Sequence, residues 1–89
     1  MKRTGILRTA ELMVTGKREE DYGTPEDNFR KIADLWNIAF DTNFGPDDIA
    51  LAMILLKVAR QTTGEGSHDT WVDIAGYAAC GGEIAHGNH

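Results

Sequence analysis

Apolar side chains recur at helical spacing in four segments of the chain, which predicts an all-α fold of about four short helices. The clearest segment follows Thr24-Pro25-Glu26-Asp27. Threonine can cap a helix, proline suits the first turn, and acids favour the positive end of the helix dipole. One apolar stripe then runs at i, i+3, i+4, i+7 and i+11. Its members are Phe29, Ile32, Ala33, Trp36 and Phe40.

The other three predicted helices differ in how much apolar surface they carry. The first spans about residues 4–15, and the last spans about residues 68–83. The third begins at Gly45-Pro46-Asp47-Asp48 and is apolar nearly all round over residues 49–59. A helix without a polar face must be covered on several sides, and this one is too short to span a bilayer. We therefore expect it to be central in a compact bundle that is completed by homo-oligomerisation, as a dimer or tetramer.

Length and charge narrow the class of protein. The 89 residues have room for one domain, in which residues 1–3 and 85–89 are expected to fray. The net charge of -5 argues against binding to duplex nucleic acid, although a few clustered cations can still form a pocket for a small phosphorylated ligand. No apolar run suits a membrane span or a secretory signal, and the lone Cys80 cannot form an internal disulfide. We expect a cytoplasmic protein with no membrane partner.

Two cations end the most apolar helix. Lys57 and Arg60 lie three residues apart and therefore on one helix face. They can extend from the core and interact favourably with the negative helix terminus. They can equally form a clamp for a phosphate or carboxylate, in which arginine supplies a fork and lysine a point charge. The sequence leaves both interpretations open.

The last predicted helix carries a spaced pair of acids. Asp69 and Asp73 lie four residues apart, and Tyr77 follows one turn later, so the three side chains point the same way. Asp69 suits the first turn of a helix. Asp73 lies between two apolar residues, where an unpaired carboxylate is costly, so it needs a cation. Lys57 or Arg60 is the simpler partner; a magnesium ion is the alternative, because it takes oxygen donors and bridges to phosphates.

The polar stretch over residues 17–23 has no core periodicity, and we predict a loop or a loosely helical extension. A solvated run of charge is its ordinary interpretation. As a ligand site, Lys17 and Arg18 would contact phosphate, and Tyr22 would stack on a base where the next glycine lets the backbone approach. Asn28, in the following helix, would hydrogen-bond a base or sugar edge. The sequence has no Walker loop or nucleophile elbow, so nucleophilic catalysis is not expected.

Three blocks of sequence resemble a family of small, mostly uncharacterised phage and bacterial domains. The blocks are Glu20-Asp21-Tyr22-Gly23 with Asn28-Phe29, Leu56-Lys57-Val58-Ala59-Arg60, and Asp69-Thr70-Trp71-Val72-Asp73-Ile74-Ala75-Gly76-Tyr77-Ala78. The resemblance covers about residues 11–84, and the last block is its most specific part. These domains are distantly similar to the all-α nucleoside triphosphate pyrophosphohydrolases of the MazG type and to domains associated with nucleotide modification.

The resemblance implies a helical oligomer with a nucleotide-sized site. In MazG-type enzymes, paired acids on two helices hold magnesium, and water attacks the alpha phosphate. The residues here that would hold the metal are Glu20, Asp21, Asp69 and Asp73. The chain departs from those enzymes because it lacks their Glu-x-x-Glu and Glu-x-x-Asp motifs, and only Asp69 and Asp73 form a well-spaced pair.

Three functions follow from these observations. The preferred one is a phage-type protein that binds a phosphorylated nucleotide without turnover or cofactor and sequesters a nucleotide signal of host immunity, an anti-defence role. Its ligand contacts would be Lys57, Arg60, Lys17, Arg18, Tyr22, Asn28, Asp73 and Tyr77. The second is a magnesium-dependent nucleotide pyrophosphohydrolase of the MazG type. The third is a structural oligomer in which the ionic groups are interhelical bridges. We prefer the first because the acidic set is incomplete and the cations are grouped.

Overall fold

The computed structural model of the chain describes residues 1–64 and 68–87, without the side chains of residues 17, 18 and 68. The regular structure of this part of the chain is entirely helical, which confirms the predicted all-α class. Four helices have twelve residues or more, and a fifth, of six residues, lies in the polar stretch. The helices are α1 (Arg3–Val14), α2 (Lys17–Tyr22), α3 (Pro25–Phe40), α4 (Pro46–Thr62) and α5 (His68–His86).

The helix boundaries follow from local chemistry. The Thr24 side chain accepts a hydrogen bond from the Asp27 backbone N–H at 3.2 Å, so the predicted start of α3 is confirmed. At its other end, Asp41 adopts a left-handed conformation with φ of 53°. The Asn37 amide then holds the turn into α4, because it donates to the Phe44 carbonyl at 3.0 Å and accepts from the Phe44 N–H at 2.7 Å. These bonds hold the turn that joins α3 to α4.

Packing is centred on α5, which lies against α4 and α1, while α3 packs against α4. The helices approach closely where glycine occurs on α5. A Cβ atom added at Gly81 would lie 2.9 Å from the Ala50 Cβ, and one at Gly76 would lie 3.2 Å from the Val14 Cγ1. Ile49 and Val72 are the largest fully buried side chains. The core of one chain is therefore small.

The expected burial of α4 on several sides is not reached within one chain. Its residues Ile49 and Ala50 are buried, but Leu51, Leu55 and Leu56 are exposed. Among the described helices, α5 and α3 make the extensive contacts with α4, and these contacts leave the three leucines exposed. Homo-oligomerisation stays a prediction. No described helix is long and apolar enough to cross a membrane.

Candidate functional site

A cavity of about 620 Å³ opens between α1, α2, α3 and α5, with one residue of α4 at its floor. Most of its wall is apolar, and a few polar groups interrupt it. Its lining residues are Met13, Val14, Glu19, Tyr22, Gly23, Pro25, Asn28, Phe29, Lys31, Ile32, Met53, Val72, Asp73, Gly76, Tyr77 and Cys80. Four of the predicted ligand residues, Tyr22, Asn28, Asp73 and Tyr77, are among them.

The short helix α2 carries Glu19 and Tyr22 to the cavity. Glycines with positive φ angles flank it, Gly16 at 67° and Gly23 at 85°. Backbone of this kind is accessible to glycine at little cost, so these two residues let the chain turn sharply on either side of six helical residues. The Asn28 side chain donates to the Tyr22 carbonyl at 3.0 Å and so ties the end of α2 to the start of α3.

Aromatic rings line the cavity between α3 and α5. The centroids of Phe29 and Tyr77 are 6.1 Å apart, and the ring planes are inclined at 37°. This separation is within the range of favourable aromatic pairs. Tyr22 lies at the cavity from the α2 side and is 68% exposed. Aromatic residues of α2, α3 and α5 therefore line the cavity.

The cation that Asp73 requires is Lys57. Its Nζ lies 3.0 Å from Asp73 Oδ2, and the two side chains are 20% and 24% exposed. The pair joins α4 to α5, and of its two members Asp73 lines the cavity. Asp73 is therefore paired with a lysine of α4, which was the simpler of the two partners that the sequence left open.

Replacing Lys57 with methionine keeps the aliphatic stem and removes the charge. We expect Lys57→Met to lower the free energy of unfolding by about 1–2 kcal/mol, because it leaves a largely buried carboxylate without its cation. Urea denaturation followed by circular dichroism measures this. The control is Arg60→Met on the same helix, where the exposed side chain predicts a change within about 0.5 kcal/mol. Equal losses in the two variants would contradict a specific role for the pair.

The predicted phosphate clamp is not found at the cavity wall. Lys57 faces α5 and contacts Asp73, and Arg60 is exposed one turn later, so neither lines the cavity. Sequence reasoning missed Lys31, which does line it. The signal for Lys31 was its position three residues after Asn28, since residues at that spacing share a helix face. The side chains of Lys17 and Arg18 lie outside the described residues.

The acids proposed to hold metal do not assemble in one chain. Glu20, Asp21 and Asp69 are exposed and do not line the cavity; Glu19 lines it, together with Asp73. Within the described residues, no three His, Cys, Asp or Glu side chains are close enough to hold a metal ion. The reason is helical geometry: α2 directs Glu19, rather than Glu20 or Asp21, toward the cavity. Of the four carboxylates that would hold metal in the hydrolase, Asp73 therefore lines the cavity, and Glu19 lies there beside it in the lining.

Comparison with known proteins shows the family. The sequence model of the family described as "Domain of unknown function (DUF6378)" matches residues 5–85, so the chain belongs to that family. It is 47% identical over 74 residues to the "Gene 55 protein" of Mycobacterium phage L5, covering 82% of this chain and 47% of that protein. It is 41% identical over 76 residues to the "Gene 55 protein" of Mycobacterium phage D29, covering 84% and 50%.

The chain spans about half the length of the curated relatives that it matches. No solved structure matches it. The predicted resemblance to a small uncharacterised phage domain is confirmed by the family and by these phage relatives. The similarity to MazG-type enzymes stays a prediction.

Proposed function

We propose that this chain, as a member of a family of unknown function, binds a phosphorylated nucleotide-type ligand in the helical cavity and holds it without turnover. The observation that carries the proposal is the convergence of Tyr22, Asn28, Asp73 and Tyr77 on one cavity of about 620 Å³. All four are ligand residues that the sequence predicts, and they come from α2, α3 and α5.

The size and chemistry of the cavity favour a ligand of this kind. Small-molecule sites typically enclose roughly 300–1,000 Å³, with mostly apolar walls and a few convergent polar groups. A nucleobase has a flat face and a polar edge. Its face would lie against Tyr22 or against the Phe29 and Tyr77 rings, because stacking on aromatic side chains is tolerant of base identity. The Asn28 amide, whose NH₂ group holds the Tyr22 carbonyl, still has its oxygen to accept from a base edge.

The charges at the wall orient the ligand. Among the lining residues that the structure describes, Lys31 is the cation, and Glu19 and Asp73 are the anions. Lys57 already offsets the charge of Asp73 at 3.0 Å. A phosphate group would therefore lie toward Lys31, because its charge is compensated there, and away from Glu19.

Sequestration of a nucleotide signal is the role that this binding would serve. The relatives of this chain in two mycobacteriophages support a role during phage infection. A phage protein that binds a nucleotide signal tightly would remove it from the host without needing to turn it over. Tight holding requires slow dissociation. Anti-defence activity is part of this proposal.

The test is to incubate the full chain with linear and cyclic nucleotides and magnesium, and to chromatograph both the supernatant and the ligand released by heat. Depletion followed by recovery of an intact nucleotide supports binding without turnover. Conversion to a monophosphate and pyrophosphate would replace the proposal with the hydrolase. If every nucleotide stays free and unchanged, nucleotide binding is wrong and a structural role is left.

Removing the Tyr22 ring should weaken binding. For the nucleotide retained in that experiment, we expect Tyr22→Ala to raise Kd about tenfold, because stacking on an aromatic ring contributes roughly 1–3 kcal/mol per base. Isothermal titration calorimetry measures the change. Phe40→Ala is the matched control: Phe40 is 67% exposed, against 68% for Tyr22, and does not line the cavity. An equal change in both variants would argue against stacking at this position.

A further inference from the structure

One chain exposes more surface than a compact monomer of its mass. Its accessible surface is 6552 Å². The scaling of folded monomers gives roughly 5,200 Å² for 9.8 kDa, so the excess is roughly 1,400 Å². A standard protein interface buries about 800 Å² on each partner. The excess area on one chain is therefore larger than the area that one partner buries in a standard interface.

The outer face of α4 contributes a row of exposed aliphatic side chains to this surface. Leu51, Leu55 and Val58 follow at i, i+4 and i+7, which places them in one stripe, and they are 58%, 67% and 43% exposed. Lys57 is the one charged residue between positions 49 and 59, and its amine is directed inward to Asp73. The three side chains of the stripe therefore carry no charge themselves, although the exposed Asp48 lies on the same face one turn before Leu51.

We propose that a second copy of this chain covers the α4 stripe, defined as Leu51, Leu55 and Val58, across a two-fold axis near Leu55. Self-association is favoured because an isologous interface needs a self-complementary patch, and an uncharged row of aliphatic side chains is one. The excess of roughly 1,400 Å² on each copy exceeds the roughly 800 Å² that each partner buries in a standard interface.

This interface leaves the cavity open. Met53 is the α4 residue at the cavity, and it lies roughly 160° around the helix from Leu51 and from Leu55. The dimer contact and the ligand cavity are therefore on opposite sides of α4. The proposal does not depend on nucleotide binding, and each can fail without the other.

Light scattering coupled to gel filtration of the full chain tests the interface. The wild type is expected at about twice the 9.8 kDa of one chain. Leu55→Glu is expected at the mass of one chain with its helical circular dichroism retained, because it places two like charges at the axis. The matched control is Leu12→Glu on α1, a leucine that is 62% exposed and is expected to keep the dimer mass.

A cross-link decides the case in which Leu55→Glu fails to fold. Under mild oxidation, Leu55→Cys is expected to form a covalent dimer, and Leu12→Cys is not; Cys80 is present in both variants. A monomeric wild type overturns the proposal, and so does a mass that Leu55→Glu leaves unchanged. Dissociation by Leu12→Glu, or equal cross-linking of the two cysteine variants, places the contact elsewhere and overturns it as well.

Discussion

Gly81→Leu is expected to lower the free energy of unfolding by about 3 kcal/mol, the upper end of what overpacking costs. The cause is the closeness of α4 and α5 at this point. A Cβ atom at Gly81 would lie 2.9 Å from the Ala50 Cβ, closer than side chains pack. Ala50 cannot turn aside, because its Cβ is attached to the backbone of a buried helix segment beside Ile49. The two helices would have to separate and open the core.

The neighbouring glycine is the control for this effect. Gly82 is exposed, and a Cβ atom there would meet no atom within 4 Å. Gly82→Leu is therefore expected to raise the free energy of unfolding by up to about 1 kcal/mol, because leucine is a better helix former than glycine. Chemical denaturation of both variants at one fixed protein concentration measures the difference. If the two variants have equal stability, the close packing of α4 on α5 is wrong.

Lys31→Glu is expected to weaken binding of the retained nucleotide about 100-fold, equivalent to about 2.7 kcal/mol. The substitution replaces the cation at the cavity wall with an anion, so that attraction of the phosphate becomes repulsion. We expect Lys31→Glu to weaken binding more than Tyr22→Ala does. The substitution adds a further carboxylate to a lining that already includes those of Glu19 and Asp73.

Arg30→Glu controls for the change in net charge. Arg30 is the preceding residue, is exposed, and lies 3.8 Å from Glu26 rather than at the cavity. Its reversal alters the charge of the chain by the same amount, so it measures the long-range electrostatic effect alone. We expect it to change Kd by less than about threefold at 0.15 M salt, where exposed charges are screened. Equal losses from the two reversals would show that phosphate does not lie near Lys31.

The helical class and the start of α3 were predictable from the sequence because their causes are local. The Thr24 cap needs only residues within one turn, and the stripe that includes Phe29 and Ile32 needs only helical periodicity. The pairing of Asp73 was predictable as a need for a cation, since an unpaired buried carboxylate is costly. The choice of Lys57 over Arg60 depended on how α4 is rotated against α5, which is a tertiary property.

The composition of the cavity wall was only partly predictable for the same reason. Tyr22 and Asn28 were found because their residue types suit nucleotides, whereas Lys31 was not predicted, because which residues of α3 line the cavity depends on how α3 packs in the bundle. Which of Glu19, Glu20 and Asp21 lines the cavity depends on the orientation of α2, and the residue that lines it is Glu19. A short helix between two glycines has weak periodicity, so its orientation comes from packing and not from its own sequence.

Binding of the ligand in the cavity is tested most directly by an amide NMR titration. The labelled full chain would be titrated with the nucleotide that it retains best. The expected result is a set of shifts at the amides of Gly23, Lys31 and Gly76, with the amides of Leu51 and Leu55 unchanged. Shifts confined to the outer face of α4, with the cavity amides unmoved, would contradict the proposed site.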